Sequence, residues 1–107
     1  MSGVSVDVRR DGDTAVVEVT GELDLAAEAS FVRAAGDVTA ATVVLDLSGV
    51  TFMDSTGLRL VLEMDARVRS SGGRCVVVRG SGSVHRLIEQ GLLASRLQVV
   101  ETLADVL

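Results

Sequence analysis

The sequence predicts an α/β domain on a mixed, mostly parallel sheet of four to five strands, and three observations carry that prediction. First, two N-terminal segments alternate apolar and polar residues with the period of a half-buried strand and are joined by a turn signal. Second, two apolar runs, residues 43–47 and 75–78, are bounded by turn residues. They are too short for helices, which suits strands covered on both faces. Third, segments with helical apolar spacing separate these runs, and strands separated by helices pair in parallel through crossovers.

The elements follow in order. Val4, Val6 and Val8 alternate with Ser5, Asp7 and Arg9, Asp11-Gly12-Asp13 marks a turn, and residues 14–20 form the second strand of a hairpin. Gly21-Glu22-Leu23-Asp24 breaks the strand pattern. Asp24 then caps a helix over residues 25–35 that stops at Gly36, with Ala27, Phe31 and Ala34 at helical spacing and Phe31 facing the core. The strand at 43–47 is apolar except at Asp46 and gives way to a short loop.

The next helix runs from Gly57 to about Ser70 and closes at Ser71-Gly72-Gly73. Its core stripe is Leu60, Val61, Met64 and Val68; Arg59, Glu63 and Arg67 share the opposite face, and Leu58, Leu62 and Ala66 lie beside the stripe. Residues 75–78 form a strand, 79–83 a loop, and 84–90 a short helix that ends at Gly91. Leu92 and Leu93 pack on the core, 97–100 form the last strand, and 102–106 a terminal helical turn. The predicted order is β-β-α-β-α-β-α-β-α in one domain spanning residues 1–107, with no repeat, linker or low-complexity segment.

Composition excludes several function classes. Fifteen acidic residues against ten basic ones leave a net charge of −5, which argues against nucleic acid or an anionic membrane as partner. All ten bases are arginine. The absence of lysine removes the phosphate-loop lysine and Schiff-base chemistry, and low aromatic content removes stacking platforms for bases or nucleotides. No targeting segment precedes the first strand, no apolar run reaches membrane-spanning length, and the lone Cys75 has no disulfide partner, so a reducing cytoplasm is expected.

Most chemically suggestive residues have a structural explanation. Cys75 opens an apolar strand and reads as a buried thiol. His85, the only histidine, sits in the first turn of a short helix; with one His and one Cys there is no zinc set. A hydrolase using Ser55 as nucleophile would have only His85 as its base, and no Gly-x-Ser-x-Gly elbow occurs. Gly80-Ser81-Gly82 before a helix is a weak phosphate-cradle signal, since His85 stands where the dinucleotide fingerprint needs its third glycine. Glu22 and Asp24 are either paired carboxylates for acid–base work or a solvated side chain and a cap.

Asp54-Ser55-Thr56-Gly57 stands apart. Asp54 or Ser55 suffices to cap the following helix, yet three oxygen-bearing side chains occur in succession. A serine here lies near the surface at the positive end of a helix dipole, where unpaired amides and the dipole would tolerate a phosphate. A modification at this point should leave the fold intact and act on whatever binds the surface.

The run Val44-Leu45-Asp46-Leu47-Ser48-Gly49-Val50-Thr51-Phe52-Met53-Asp54-Ser55-Thr56-Gly57-Leu58 closely resembles the signature of the STAS family, and within it that of the bacterial anti-sigma factor antagonists. Thr20-Gly21-Glu22-Leu23-Asp24 is similar to the family's Gly-Glu-Leu-Asp segment. Val84-His85-Arg86-Leu87-Ile88 followed by Gly91-Leu92 is a third, weaker match. The resemblance implies a single STAS-type domain with helices packed mainly on one face of the sheet.

It also implies a non-enzymatic, cytoplasmic regulator that binds an anti-sigma factor, itself a serine kinase, and so releases a sigma factor. The kinase would phosphorylate Ser55, with Thr56 as secondary acceptor, and a serine phosphatase would restore the active form. No cofactor is implied on this chain; ATP and Mg are expected on the partner kinase. Asp24 and Asp54 are implied to lie near the modified serine, and the contact surface is expected to comprise Asp24, Asp54, Ser55, Thr56, Gly57, Leu58 and Leu62. Two departures stand out: no proline precedes the third helix near Ser83, and Thr56 replaces a serine that some members carry. The alternative within the same fold is a constitutive STAS subunit of a lipid-transport or stress-signalling assembly.

Overall fold

The computed structural model describes residues 3–80 and 97–106 together with Val84, Arg86 and Ile88. A hairpin opens the chain: β1 (Val4–Asp11) and β2 (Thr14–Leu23) pair antiparallel, Val8 opposite Val17, across a turn in which Gly12 has φ +60. β3 (Thr42–Met53), β4 (Arg74–Val78) and β5 (Gln98–Val100) then add in parallel, giving the order β1-β2-β3-β4-β5. α1 (Glu28–Ala35) follows β2 after a single 3-10 turn at Leu25–Ala27, and α2 (Ser55–Ser70) follows β3. Val84, Arg86 and Ile88 are helical. The expected mixed, mostly parallel sheet is present, with five strands.

Strand parity explains why the helices share one face. Ala15, Val17 and Val19 of β2, Val43, Leu45 and Leu47 of β3, and Cys75 and Val77 of β4 form one buried cluster with Phe31 and Ala35 of α1 and with Leu60, Val61, Met64 and Val68 of α2. The stripe read from the sequence of α2 is therefore its core face. Burying each such leucine or valine contributes about 1.5–3 kcal/mol. Val16, Val44 and Val78 point the other way and are covered by Val100, Leu103 and Val106. Leu103 belongs to the terminal 3-10 turn Leu103–Asp105, held by a reciprocal Thr102–Asp105 capping box.

Several sequence expectations are corrected. Gly21-Glu22-Leu23 does not end β2: Gly21 takes φ +94, the register against β3 shifts between Gly21 and Glu22, and the Glu22 amide donates to the Gly3 carbonyl at 3.1 Å. The glycine lies opposite a bulge in β3, where Thr51 is the extra residue, and its positive φ is a conformation a side chain would strain. The expected loop after Leu47 is likewise strand, with β3 running on to Met53. The β2–β3 register slips twice, between Glu18 and Thr20 and between Gly21 and Glu22, so that β3 spends two extra residues. Asp46, buried, supports the first slip by accepting from the Ser48 amide (3.0 Å) and hydroxyl (2.7 Å).

Other differences are smaller. Ala34 is exposed, and Ala35 takes the core position instead. Arg67 is not on the solvent face with Arg59 and Glu63, because its Nη2 donates to the carbonyls of Ala35 (2.9 Å) and Val38 (3.1 Å), clamping the end of α1. Leu97 is a buried core residue just ahead of β5. Readings made for Ser81, Gly82, Ser83, His85, Gln90, Gly91, Leu92 and Leu93 lie outside the described residues.

Gly21 provides a direct test of the bulge. A Cβ there would run into the Gly3 carbonyl, whereas Gly12 has a positive φ but open space around it. Gly12→Ala is expected to cost about 1 kcal/mol from backbone strain alone. Gly21→Ala should cost at least about twice as much, read as a lower urea midpoint at unchanged m-value.

Candidate functional site

β2 and β3 finish side by side, with Leu23 paired to Met53, and each is followed by an aspartate with extended backbone. Asp24 has φ −127 and ψ −170, Asp54 φ −113 and ψ −168. Both carboxylates turn forward to cap the helical turn they introduce. Asp24 Oδ1 accepts from the Ala27 amide at 3.2 Å, and Asp54 Oδ1 accepts from the amides of Thr56 (2.9 Å) and Gly57 (3.1 Å). This assigns Asp24 the capping role rather than that of an acid–base partner to Glu22. Glu22 and Asp24 instead line a cleft of about 290 Å³ between the start of β1 and the turn after β2.

Gly57 sets the spacing between the two helix starts. It is buried, and a Cβ would collide with the Leu23 carbonyl and the Met53 side chain. The first turn of α2 thus lies directly against the end of β2. Ser55, one residue past the cap, is exposed, while Asp54 and Thr56 are half-buried. Among the described residues the Ser55 hydroxyl has no hydrogen-bond partner, while the carboxylate of the preceding Asp54 is engaged by helix amides.

One sequence expectation about this corner changes. The entrance is expected to offer unpaired amides to an anion, but Asp54 already occupies two of them, those of Thr56 and Gly57. Its carboxylate takes Thr56 and Gly57, and its carbonyl accepts from the Leu58 amide at 3.1 Å. The helix dipole remains favourable to a negative group, yet a phosphate on Ser55 would have to displace Asp54 to reach those donors.

The apolar surroundings also differ in emphasis. Leu58 and Leu62 are half-buried and pack against the core. The large side chains left open at this end of the sheet are Leu25, 68% exposed in the turn after Asp24, and Phe52, 44% exposed one residue before the end of β3. Neither was singled out by periodicity. The bulges reset the alternation of β3, so Phe52 could not be given a face. For Leu25 a signal existed, an apolar residue set directly after a cap.

On the exposed face of α2, Arg59 lies one turn after Ser55. Its guanidinium donates to Glu28 of α1 (2.7 Å) and to Glu63 of its own helix (3.0 Å). The hydrogen bond and charge of Glu28, followed by those of Glu63, hold Arg59 above its ordinary pKa. Elsewhere, Cys75 is buried at the start of β4, and its thiol is pushed up to about 12, chiefly by desolvation and then by the charge of Asp65. That favours a packing role for the thiol over a reactive one. Among the described residues no helix is long and apolar enough to cross a membrane, and no cluster of His, Cys, Asp or Glu could hold a metal ion.

Comparison with known proteins places this geometry. The STAS domain model matches residues 5–106. The anti-sigma-F factor antagonist RsfB of Mycobacterium tuberculosis is 35% identical over 81 residues, covering 73% of this chain and 66% of that protein, just under two thirds of its length. The crystal structure of an anti-sigma factor antagonist from Mycobacterium paratuberculosis superposes with a TM-score of 0.86 at 27% identity, over 96% of this chain and 90% of that one. SpoIIAA shares the fold in its unphosphorylated form, with a TM-score of 0.68 at 20% identity over 94% and 92% of the two chains. The phosphorylated form of SpoIIAA, from Bacillus, gives 0.63 at 22% over 94% and 95%.

Two outcomes test the site's construction. Asp54→Ala should lower stability by about 1 kcal/mol through loss of the cap, and Asp54→Asn should recover most of it, measured by denaturant unfolding. Cys75 should resist thiol reagents at pH 8 until the protein unfolds. Because its folded pKa is raised from 9.0 to about 12, its contribution to stability is fully present below pH 9 and is lost as pH rises toward 12. Cys75→Ala should flatten that alkaline decline, and an unchanged decline would refute the assignment.

Proposed function

This chain belongs to the STAS domain family, and from that membership we propose that it is an anti-sigma factor antagonist switched by phosphorylation of Ser55. The observation that carries this reading is the placement of Ser55. It is an exposed hydroxyl at the first position of α2, held beside two capping aspartates by the close packing of Gly57. The names of the related proteins supply the partner class, and the relative RsfB is itself an anti-sigma-F factor antagonist.

In this reading the unmodified chain binds an anti-sigma factor that is also a serine kinase, frees its sigma factor and performs no catalysis itself. ATP and Mg belong to the kinase, and a serine phosphatase reverses the modification. The contact surface is the corner formed by Asp24, Asp54, Ser55, Thr56 and the backbone at Gly57. Leu25 and Phe52 add to the apolar contribution expected from Leu58 and Leu62. All of this takes place in the cytoplasm, without nucleic acid or membrane.

The switch follows from charge and size. Phosphate adds about −1.5 to −2 charge at neutral pH to a corner that already holds Asp24 and Asp54. The amides of Thr56 and Gly57 are engaged by Asp54, so those two donors do not neutralise the addition. A partner surface shaped around a small hydroxyl would meet a hydrated dianion. A loss on the order of 3 kcal/mol weakens binding more than a hundredfold.

Ser55→Asp is expected to keep its circular dichroism and melting temperature yet bind the kinase more than about a hundredfold more weakly. Ser55→Ala should bind within a few-fold of wild type and accept no phosphate. Mass mapping after incubation with kinase and ATP should place the modification on Ser55 and not on Thr56. If both variants bind as tightly as wild type, the switch is refuted.

A further inference from the structure

The occupied amides at the start of α2 raise a question that local capping leaves open, namely what receives the charge of a phosphate on Ser55. The groups facing that corner are Asp24 and Glu28 from the β2–α1 segment, Asp54 at the cap, and Arg59 and Glu63 on α2. Four are carboxylates and one is a cation. Arg59 follows Ser55 by one helical turn on the same exposed face, the spacing at which helix side chains meet, with the anion on the favourable N-terminal side.

In the structure Arg59 is already engaged. It bridges Glu28 of α1 and Glu63, and the Arg59–Glu28 ion pair is a side-chain tie between the two helices. All three side chains are substantially exposed, with Arg59 at 47%, Glu28 at 34% and Glu63 at 59%. Exposed carboxylate pairs of this kind are weakly held. A phosphate dianion offers more charge than either carboxylate and matches the guanidinium fork in two-point geometry.

We propose that Arg59 is the intramolecular receptor of the Ser55 phosphate: on phosphorylation its guanidinium leaves Glu28 and Glu63 for the phosphate, and the Arg59–Glu28 tie between α1 and α2 opens, while the Arg67 clamp stays. The proposal rests on the reading of Ser55 as the modified residue and states what that modification does inside the chain. Two surfaces change at once. At Ser55 the hydroxyl becomes a dianion clasped by Arg59, while on α1 Glu28 loses its counter-charge. The modified state is therefore sensed along α1 as well as at the phosphate, and a partner that touches only α1 would still distinguish the two forms.

The test uses full-length protein carrying phosphoserine at position 55 by genetic incorporation, so that no kinase is needed. The second ionisation of the phosphate is followed by phosphorus NMR against pH. It should rise by about 0.3 pH unit or more in Arg59→Gln relative to the wild-type background. Glu28→Gln should lower it, and that effect should shrink when Arg59→Gln is also present, because the two compete for one guanidinium. The Arg59 Nε–Hε resonance should move between the serine and phosphoserine proteins.

Superimposable titrations for the wild-type background and Arg59→Gln would overturn the proposal, as would an equal Glu28→Gln effect with and without Arg59. Failure of a kinase to modify Ser55 would instead overturn the functional reading, and it would leave the titration result standing.

Discussion

The approach of Gly57 to the end of β2 is the constraint on which the rest of the site depends. With no side chain at that position, the first turn of α2 sits on the Leu23 carbonyl and against Met53. Any Cβ would force the helix start away from the sheet, and with it the Asp54 cap and Ser55. The two register slips between β2 and β3 serve the same end. They let β3 take up extra residues so that Leu23 and Met53 finish opposite one another, and each strand then delivers an aspartate to the same edge. Thr51 adds a tie across the second slip through its hydroxyl, which donates to the Gly21 carbonyl at 3.3 Å.

What the sequence reveals and what it hides divides by range. Asp24 and Asp54 as caps, the core stripe of α2 and the exposure of Ser55 were legible because each depends on residues within one turn. The bulges were not, because an inserted residue inverts the alternation that periodicity relies on. Ser48-Gly49 therefore resembled a loop and Gly21 a stop. Arg67 and Arg59 were hidden for a different reason. Both read from the sequence as solvent-face positions of α2, and only the placement of α1 beside them supplies the Ala35 and Val38 carbonyls for one and Glu28 for the other.

The electrostatics of the corner depend on the same geometry. A helix entrance is usually regarded as a ready anion site because its first amides lack partners. Here the Asp54 carboxylate has taken two of those amides, Thr56 and Gly57. The cap that fixes the helix start thereby removes two backbone donors that would otherwise screen a second negative group. A phosphate added to Ser55 would have to find its counter-charge among exposed side chains rather than at those two amides, and the backbone has little to rearrange in response.

In the proposed switch, the same geometry bears on which hydroxyl is the better acceptor. Ser55 and Thr56 are adjacent in sequence and chemically alike, and family resemblance alone favoured the first. Thr56 is half-buried, and its amide is held by Asp54 at 2.9 Å, so its backbone is fixed in the first turn with its side chain partly covered. Ser55 precedes that bond and is exposed. A kinase must reach the oxygen from solvent and hold it in line with a γ-phosphate. Ser55 meets that demand without disturbing the cap, whereas Thr56 would have to turn out of the helix start that Gly57 pins in place.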